Sequence, residues 1–370
     1  MRPRCSAVED LLQRAVRAGV SPGAVAAWGV AGSDPRIAAA GHRRLVPHPE
    51  PADGDTWYDL ASLSKPLVTG TLALLALREG TLALSSTVGE TIGAAAGRPI
   101  ASATVRQLLA HESGLPAWAP LYALAAGPER VAEAVVSIEL AAPPGERVVY
   151  SCLGFILLGL MLERVLGQPL DVAFGERVVG PLGLAGAIGF HPDPEAHRLA
   201  GGAAAPEVER RLCAARSLDP STIPPVGTAL PDDGNARFQS GVAGNAGLFG
   251  TAAGVHRLAS QYLGSVSQLL QPREISLAIA ATAGADGGQV RGLGWQLASS
   301  PGCSAGPALP PEAFGHTGFT GSSVWVDPRR RSVLVLLANR HHPGHQPVDL
   351  HPLRRRFHSL ALADLAPPRS

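Results

Sequence analysis

The sequence predicts an α/β protein of the α+β kind, with an antiparallel sheet built from both ends of the chain, flanked by helices, and a large, mostly helical segment inserted between them. Short stretches rich in Val, Ala and Leu near both termini have the length and composition of strands. The central region instead has apolar residues at helical spacing. Glycine follows two of these helical stretches, as a left-handed helix terminus favours.

Two predicted strand pairs form the sheet. After an amphipathic first helix and a turn at residues 21–23, apolar stretches cover residues 24–30 and 37–40. Residues 323–326 and 332–338 are separated by a charged turn and give the second pair. We therefore predict a single domain of residues 1–370. Its α/β lobe comprises residues 1–60 and 285–370, and its mostly helical lobe comprises residues 61–284.

Three helices of the inserted lobe can be delimited from local signals. They are predicted over residues 62–79, 104–111 and 151–166. Gly80 and Gly167 follow the first and third, and Thr104 with Gln107 has the spacing of a capping box. The most apolar run, residues 148–162, is shorter than the roughly 20 residues that span a bilayer. It therefore predicts a buried core helix.

Composition excludes several classes of partner. The 370 residues are 46% hydrophobic, and 31 basic and 30 acidic side chains give a net charge of +1. A chain so close to neutral has no strong positive electrostatic potential that would attract a nucleic-acid backbone or an anionic membrane. The start of the chain lacks the continuous apolar core of a secretory signal. We expect a cytoplasmic protein without nucleic-acid or membrane partners, and the oligomeric state is not predicted.

The cysteines and a histidine cluster give no sign of a metal. Four scattered cysteines, with no C-x-x-C pair, argue against a zinc site and a disulfide framework. His341, His342 and His345 stand in a Pro- and Gly-containing stretch that we interpret as a solvated loop. The arginine triplets 329–331 and 354–356 are interpreted as a turn and a helix face in water. No metal or organic cofactor is expected.

Lys65 is the only lysine in the chain, whereas the other 30 basic residues are arginines. Arginine stays protonated, but a lysine whose pKa falls on burial can accept a proton. Ser62 lies three residues earlier, which on a helix puts both side chains on one face. The pair predicts a serine nucleophile activated by an amine. The alternatives are an incidental surface lysine and Ser64 as the nucleophile.

The start of the predicted helix suits that chemistry. Residues 58–65 run from an extended piece into its first turn, where Pro66 is tolerated because first-turn N–H groups have no intrahelical acceptor. Those free N–H groups and the helix dipole stabilise a developing oxyanion. By contrast, residues 19–23 match G-x-S-x-G but follow a helix and precede a strand, which is the wrong context for a nucleophile elbow.

Three segments occur in a fixed order along the chain: Ser62-Leu63-Ser64-Lys65, Tyr150-Ser151-Cys152 and His316-Thr317-Gly318. They resemble the Ser-x-x-Lys, Tyr-x-Asn and Lys/His-Thr/Ser-Gly motifs of the serine β-lactamase and penicillin-binding protein superfamily. The closest likeness is to its class C-like branch, which also contains esterases and D-amino-acid peptidases. Further similar stretches are residues 108–115, 243–249, 292–295 and 317–327. The resemblance implies a β-lactamase/transpeptidase-like fold.

The resemblance also implies roles. Ser62 would become acylated, Lys65 would activate it, and Tyr150 would be a second proton carrier for the leaving group and the deacylating water. A tyrosine beside a cationic lysine can share a mobile proton with it. The alternative for Tyr150 is a core phenol that precedes a buried helix. The N–H groups of Ser62 and Phe319 would form the oxyanion hole.

The third motif would line the cleft with His316, Thr317 and Gly318. Cys152 stands where the superfamily usually has Asn, and a thiol is a weak donor that cannot replace the amide fully. His316 replaces Lys and is a poorer anchor for a substrate carboxylate near neutral pH. Both departures favour small ester substrates, so we predict a carboxylesterase-type serine hydrolase. The alternatives are a β-lactamase or D-aminoacyl peptidase, and a catalytically impaired binding protein.

Overall fold

The computed structural model describes residues 6–202, 205–281, 288–342 and 348–366. The strands are β1 (Gly23–Val30), β2 (Arg36–Arg44), β3 (Glu50–Pro51), β4 (Thr56–Asp59), β5 (Ile188–Gly189), β6 (Arg198–Leu199), β7 (Phe249–Gly250), β8 (Gln296–Leu297), β9 (Phe314–Thr317), β10 (Ser323–Asp327) and β11 (Ser332–Ala338).

The α-helices are α1 (Ala7–Arg17), α2 (Thr71–Glu79), α3 (Val88–Thr91), α4 (Val105–Leu109), α5 (Leu121–Leu124), α6 (Val131–Val136), α7 (Cys152–Leu166), α8 (Leu170–Phe174), α9 (Gly180–Leu182), α10 (Ala205–Ala214), α11 (Gly234–Phe238), α12 (Ala252–Ala259), α13 (Pro272–Ile279) and α14 (His351–Leu365).

The two ends of the chain meet in one sheet, as predicted. Its order is β3-β2-β1-β11-β10-β9-β8, and β1 pairs antiparallel with β11 from Ala24↔Ala338 to Val30↔Ser332. Every residue of β11 is buried, as expected of a strand covered on both faces. A second sheet has the order β5-β7-β4-β6 and leads the chain out of β4 into the predicted nucleophile segment.

Helices cover both faces of the large sheet. On one face, α1 and α14 bury a cluster that includes Leu12 and Phe357 against Trp28 and Trp325. On the other face, α12 packs against β1, β10 and β11, and α2 and α7 belong to the same buried cluster as inward-facing strand residues such as Val335. The 3₁₀ turn Ala61–Leu63, which carries Ser62, contacts β9.

The predicted helix over residues 62–79 is divided into three kinds of helix. Ala61–Leu63 is 3₁₀-helical, Lys65–Gly70 is π-helical, and only Thr71–Glu79 is α-helical, ending at Gly80 with φ 73°. Pro66 has no N–H to donate, and the Thr71 N–H reaches back five residues to the Pro66 carbonyl. The expectation of one continuous α-helix beginning at Ser62 was therefore wrong.

The other two predicted helices agree more closely. Thr104 and Gln107 form the expected capping box, but α4 is shorter than predicted because His111 adopts a left-handed φ of 62°. Ser151 caps α7, and Gly167 ends it with φ 68°. In the described part of the chain, no single helix is long and apolar enough to cross a membrane; α7 together with Leu170–Leu182, bent by 74°, passes by length and composition alone.

Candidate active site

A buried carboxylate shapes the backbone just before Ser62. Asp59, the last residue of β4, accepts hydrogen bonds from the Ala61 N–H and the Asp232 N–H, both at 2.8 Å. Ala61 has φ 47°, in the left-handed region that alanine rarely adopts. Burial raises the pKa of Asp59 to about 6, although these backbone donors lower it. The strained residue sits directly before Ser62, so the sheet fixes where the hydroxyl projects.

Ser62 and Lys65 are in direct contact. The Lys65 Nζ donates to the Ser62 Oγ at 2.9 Å and to the Asn245 carbonyl at 3.2 Å. Lys65 has no exposed surface, so it is not a surface lysine. Ser64 points away from it: its Oγ donates to the Ala61 carbonyl at 2.7 Å and accepts from the Leu248 N–H at 3.2 Å. Its hydroxyl is therefore engaged in holding the backbone.

The charge state of Lys65 differs from the sequence-based expectation. Burial lowers its pKa most, but the acidic groups of Cys152, Tyr150 and Asp233 outweigh burial, and the pKa is raised. Lys65 is therefore a cation in the resting site. It can donate to Ser62 and share a proton with Tyr150, instead of acting alone as a neutral base.

Tyr150 lies next to the same pair. The Lys65 Nζ is 5.2 Å from the centroid of its ring. His111 holds the backbone on both sides, since its Nδ1 accepts from the Ser151 N–H at 2.9 Å and its carbonyl accepts from the Val149 N–H at 2.8 Å. The rings of His111 and Tyr150 are 4.6 Å apart. These contacts fix the Tyr150 side chain where it lines a cavity, so it is not a phenol buried in the core.

His316 is buried and neutral. Burial, with the charges of Arg291 and Lys65, lowers its pKa well below the usual value. Its Nδ1 lies 2.9 Å from the Thr317 carbonyl, so that nitrogen carries the proton and donates. The sequence predicted a partly charged side chain, whereas this environment removes the charge.

The turn after β9 approaches the nucleophile segment closely. A Cβ at Gly318 would lie 2.7 Å from the Leu60 carbonyl oxygen, so a side chain there would push the two segments apart. The Thr320 hydroxyl donates to the Asp59 carbonyl at 2.8 Å and ties the same turn to β4. Among the described groups, the N–H groups of Ser62 and Phe319 have no backbone acceptor. Both remain available for an oxyanion.

These residues surround one cavity of about 570 Å³. The predicted site residues that line it are Ser62, Tyr150, Cys152, His316, Thr317, Gly318 and Phe319. Lys65 lies behind Ser62. Trp118, together with Val208 and Leu212 of α10, adds apolar side chains to the lining. The arrangement can bind a small acyl group beside a serine hydroxyl that contacts a cation.

Sequence reasoning missed some of the cavity's charges. Arg291 is buried, with its guanidinium carbon 4.9 Å from the Tyr150 ring centroid. Its position directly before the stretch 292–295 was the one available signal. Arg354 was expected in water, but it is buried and donates to the carbonyls of Gly321 and Ser322. It braces the turn that carries Phe319.

The histidine loop also differs from its prediction. His341 and His342 are buried, not solvated; His341 stacks on Phe319 at 4.0 Å, and His342 accepts from the Leu45 N–H at 2.9 Å. His345 lies outside the described residues. Within the described ranges, no group of three or more His, Cys, Asp or Glu could hold a metal ion.

Comparisons with known proteins match nearly the whole chain. The family model described as Beta-lactamase matches residues 8–358. A putative D-alanyl-D-alanine carboxypeptidase of Escherichia coli O157:H7 is 27% identical over 331 residues, 80% of this chain and 72% of that protein. The solved structure of EstCE1, described as a hydrolase with promiscuous acyltransferase activity, has a TM-score of 0.73 at 22% identity, covering 95% of this chain and 97% of that one. A class C beta-lactamase structure has a TM-score of 0.74 at 20% identity, covering 98% and 96%.

Proposed function

The chain belongs to the beta-lactamase family of serine hydrolases, and on that premise we propose that it is a carboxylesterase-type enzyme that cleaves small neutral esters through an acyl-enzyme on Ser62. The observation that carries the proposal is the 2.9 Å contact between the Lys65 Nζ and the Ser62 Oγ at the wall of an open cavity. A serine hydroxyl held by a buried cation is poised to lose its proton.

The proposed reaction has two halves. The Ser62 Oγ forms a bond to the ester carbonyl carbon while its proton passes to the Lys65–Tyr150 pair, and the carbonyl electrons move onto oxygen. The N–H groups of Ser62 and Phe319 stabilise that oxyanion. As the oxyanion collapses, the C–O bond to the alcohol breaks and the pair returns the proton to the leaving oxygen. Water then repeats the sequence on the acyl-enzyme and frees Ser62.

Two side chains support esters over peptides and β-lactams. Cys152 provides a weak donor where an amide would hold a substrate amide. His316 is neutral, so the third motif offers no cation to a substrate carboxylate. An ester needs neither contact, because it has a better leaving group than an amide and carries no obligatory carboxylate.

A second candidate is a D-aminoacyl peptidase or β-lactamase on the same residues. Arg340 and Arg354 line the cavity beside Asp349, and their positive charge favours a substrate that bears a carboxylate. Both guanidiniums already donate to backbone carbonyls, Arg340 to Phe319 and Arg354 to Gly321. Because both guanidiniums are already engaged, they are less available to a substrate carboxylate, and the proposal of an ester substrate has the better support.

A substrate panel separates the candidates. The purified protein is assayed with p-nitrophenyl acetate and butyrate, a chromogenic cephalosporin and D-Ala-terminated peptides, and intact mass detects the acyl-enzyme. We expect kcat/KM for the esters to exceed that for the cephalosporin by at least about tenfold, with Ser62→Ala as the blank. Faster turnover of the cephalosporin or a peptide supports the second candidate. Binding without any acyl-enzyme indicates a catalytically impaired binding protein.

A further inference from the structure

Phe319 carries an aromatic side chain that the fold leaves exposed at the cavity. Among the exposed large apolar side chains of the described residues, it is the only aromatic one, at 41% exposure. Of that same set, only Phe319 and Val208 line the cavity that contains Ser62. Single exposed apolar side chains are common on proteins, so the contacts around the Phe319 ring decide whether it has a role.

Neighbouring groups hold the Phe319 ring in one orientation. It stacks on the buried imidazole of His341, with ring centroids 4.0 Å apart and planes inclined by 14°. The guanidinium carbon of Arg340 lies 5.7 Å from the ring centroid, and the Arg340 Nε donates to the Phe319 carbonyl at 2.8 Å. Arg354 braces the same turn through the Gly321 carbonyl. A side chain that is already ordered loses little conformational entropy when it binds a ligand.

Planar rings contribute much of the cavity lining. The side chains with planar rings that line it are Trp118, Tyr150, His316, Phe319 and His351. The branched aliphatic side chains in the lining are Val208 and Leu212. Aromatic rings attract one another in offset-stacked and edge-to-face arrangements, in addition to the effect of the area that they bury. A lining of this composition therefore favours an aromatic group over a saturated group of the same size.

The position of Phe319 connects this preference to the reaction. Its N–H is one of the two donors proposed for the oxyanion, so its side chain leaves the backbone next to the reacting carbonyl. The cavity volume of about 570 Å³ lies in the range of pockets that enclose drug-sized ligands. The cavity therefore has room for an ester that carries an aromatic group one or two atoms from its carbonyl or its alcohol oxygen.

We propose that the Phe319 side chain determines substrate specificity by contacting an aromatic group of the substrate, so that benzyl or phenylacetyl esters are preferred to saturated esters of the same shape. This preference rests on the proposed function and narrows its substrate class to aryl-bearing esters. It concerns the side chain alone, because the N–H at position 319 remains when the side chain is changed.

Pairs of esters that differ only in the aromaticity of one ring isolate the contact. Benzyl acetate is compared with cyclohexylmethyl acetate, and methyl phenylacetate with methyl cyclohexylacetate, by titration of the acid released. Each ratio of kcat/KM is divided by the ratio of the hydroxide-catalysed rates. We expect the aromatic member of at least one pair to be favoured by roughly two- to tenfold, as one aromatic contact provides. The cyclohexyl member is more hydrophobic, so burial of apolar area would give the opposite preference.

Variants at position 319 separate the ring from the backbone. Phe319→Leu removes the ring but keeps an apolar side chain and the oxyanion donor, so the aromatic preference should disappear, whatever happens to both rates together. Phe319→Tyr, the matched variant that keeps a ring, should retain the preference. Ile37→Ala, at a position with 45% exposure that does not line the cavity, should leave it unchanged. If Phe319→Leu does not fold, Phe319→Met takes its place.

Binding without turnover separates this contact from catalysis. In Ser62→Ala protein, ligand-detected NMR should give a lower Kd for benzyl acetate or methyl phenylacetate than for the saturated partner, and adding Phe319→Leu should remove the difference. The proposal is overturned if neither pair favours its aromatic member, or if the preference survives Phe319→Leu and is removed by Trp118→Leu. If binding depends on Phe319 as expected but Ser62 of the unmodified protein is never acylated, the proposed function fails and the aromatic contact remains.

Discussion

At the scale of single residues, two neighbouring serines face opposite directions. Ser62 Oγ contacts Lys65, whereas Ser64 Oγ joins the Ala61 carbonyl to the Leu248 N–H inside the protein. A fluorophosphonate should therefore label the protein once, at Ser62, as read by peptide mass spectrometry. Ser62→Ala should abolish labelling and turnover. Ser64→Ala is the matched control: it should still be labelled, but lose about 1–3 kcal/mol of stability because the Leu248 N–H loses its acceptor.

A positive charge at position 65 should not by itself be enough for catalysis. Lys65→Arg keeps a cation, but the larger planar group cannot fit the fully buried site without displacing the serine hydroxyl, and it cannot exchange a proton with Tyr150. We expect kcat to fall at least about a hundredfold, with some loss of melting temperature from overpacking. Arg17→Lys, the reverse exchange at an exposed site, should change neither. A folded Lys65→Arg protein that keeps more than about a tenth of kcat would contradict the proton-sharing role.

At the scale of elements, the site depends on how closely the β9–β10 turn approaches the 3₁₀ segment Ala61–Leu63. A Cβ at position 318 would meet the Leu60 carbonyl oxygen at 2.7 Å, closer than backbone atoms allow. Gly318→Ala should therefore lower both melting temperature and kcat/KM for esters, the latter by roughly ten- to a hundredfold because the oxyanion donors separate. Gly93→Ala, where a Cβ meets nothing within 4 Å, is the control, and should be neutral or slightly stabilising. If Gly318→Ala and Gly93→Ala lowered melting temperature and kcat/KM equally, the close approach at position 318 would not explain the loss.

Elements were predictable where local signals decide them. Gly80 and Gly167 end their helices in left-handed conformations, and Thr104 forms its capping box, because each signal acts within one turn of chain. The π-helical turn at Lys65 was not predictable, because proline is ordinarily accommodated in the first turn of an α-helix. The left-handed His111 was not predictable either, because its ring accepts from the Ser151 N–H, 40 residues further along the chain. No short-range pattern encodes such contacts.

At the scale of the whole molecule, the sheet from both chain ends and the predicted fold are confirmed by the topology and by the family match. The three motifs made that possible, because they are ordered and widely spaced. The two-lobe boundaries remain a prediction. Inward-facing arginines could not be predicted, since a side chain such as Arg354 differs from its exposed neighbours only in the carbonyls that the fold brings to it.

The four histidines that burial shifts most make the whole fold sensitive to acid. Burial lowers the pKa of His256 and His358 to about 4, and of His111 and His316 well below the usual value. In the unfolded chain these side chains take up protons below about pH 6.5, so the unfolded state then binds more protons than the folded one and stability falls with pH. Four carboxylates oppose this, because burial raises their pKa and makes their folded forms easier to protonate: Asp59, to about 6, and Glu112, Glu163 and Glu209.

The glutamates start from an ordinary pKa near 4.5 and the histidines from 6.5, so the histidines dominate above pH 5 and the free energy of unfolding should fall by roughly 1–3 kcal/mol per pH unit between pH 6.5 and 5. Urea titrations at pH 5, 6, 7 and 8 measure it. His358→Gln, which removes one such group while keeping an amide donor for the Ala305 carbonyl, should reduce the slope by about 1.4 kcal/mol per pH unit. His48→Gln, at an exposed position, should leave the slope unchanged. A flat profile from pH 7 to 5 would mean that the buried histidines take up protons without unfolding the protein.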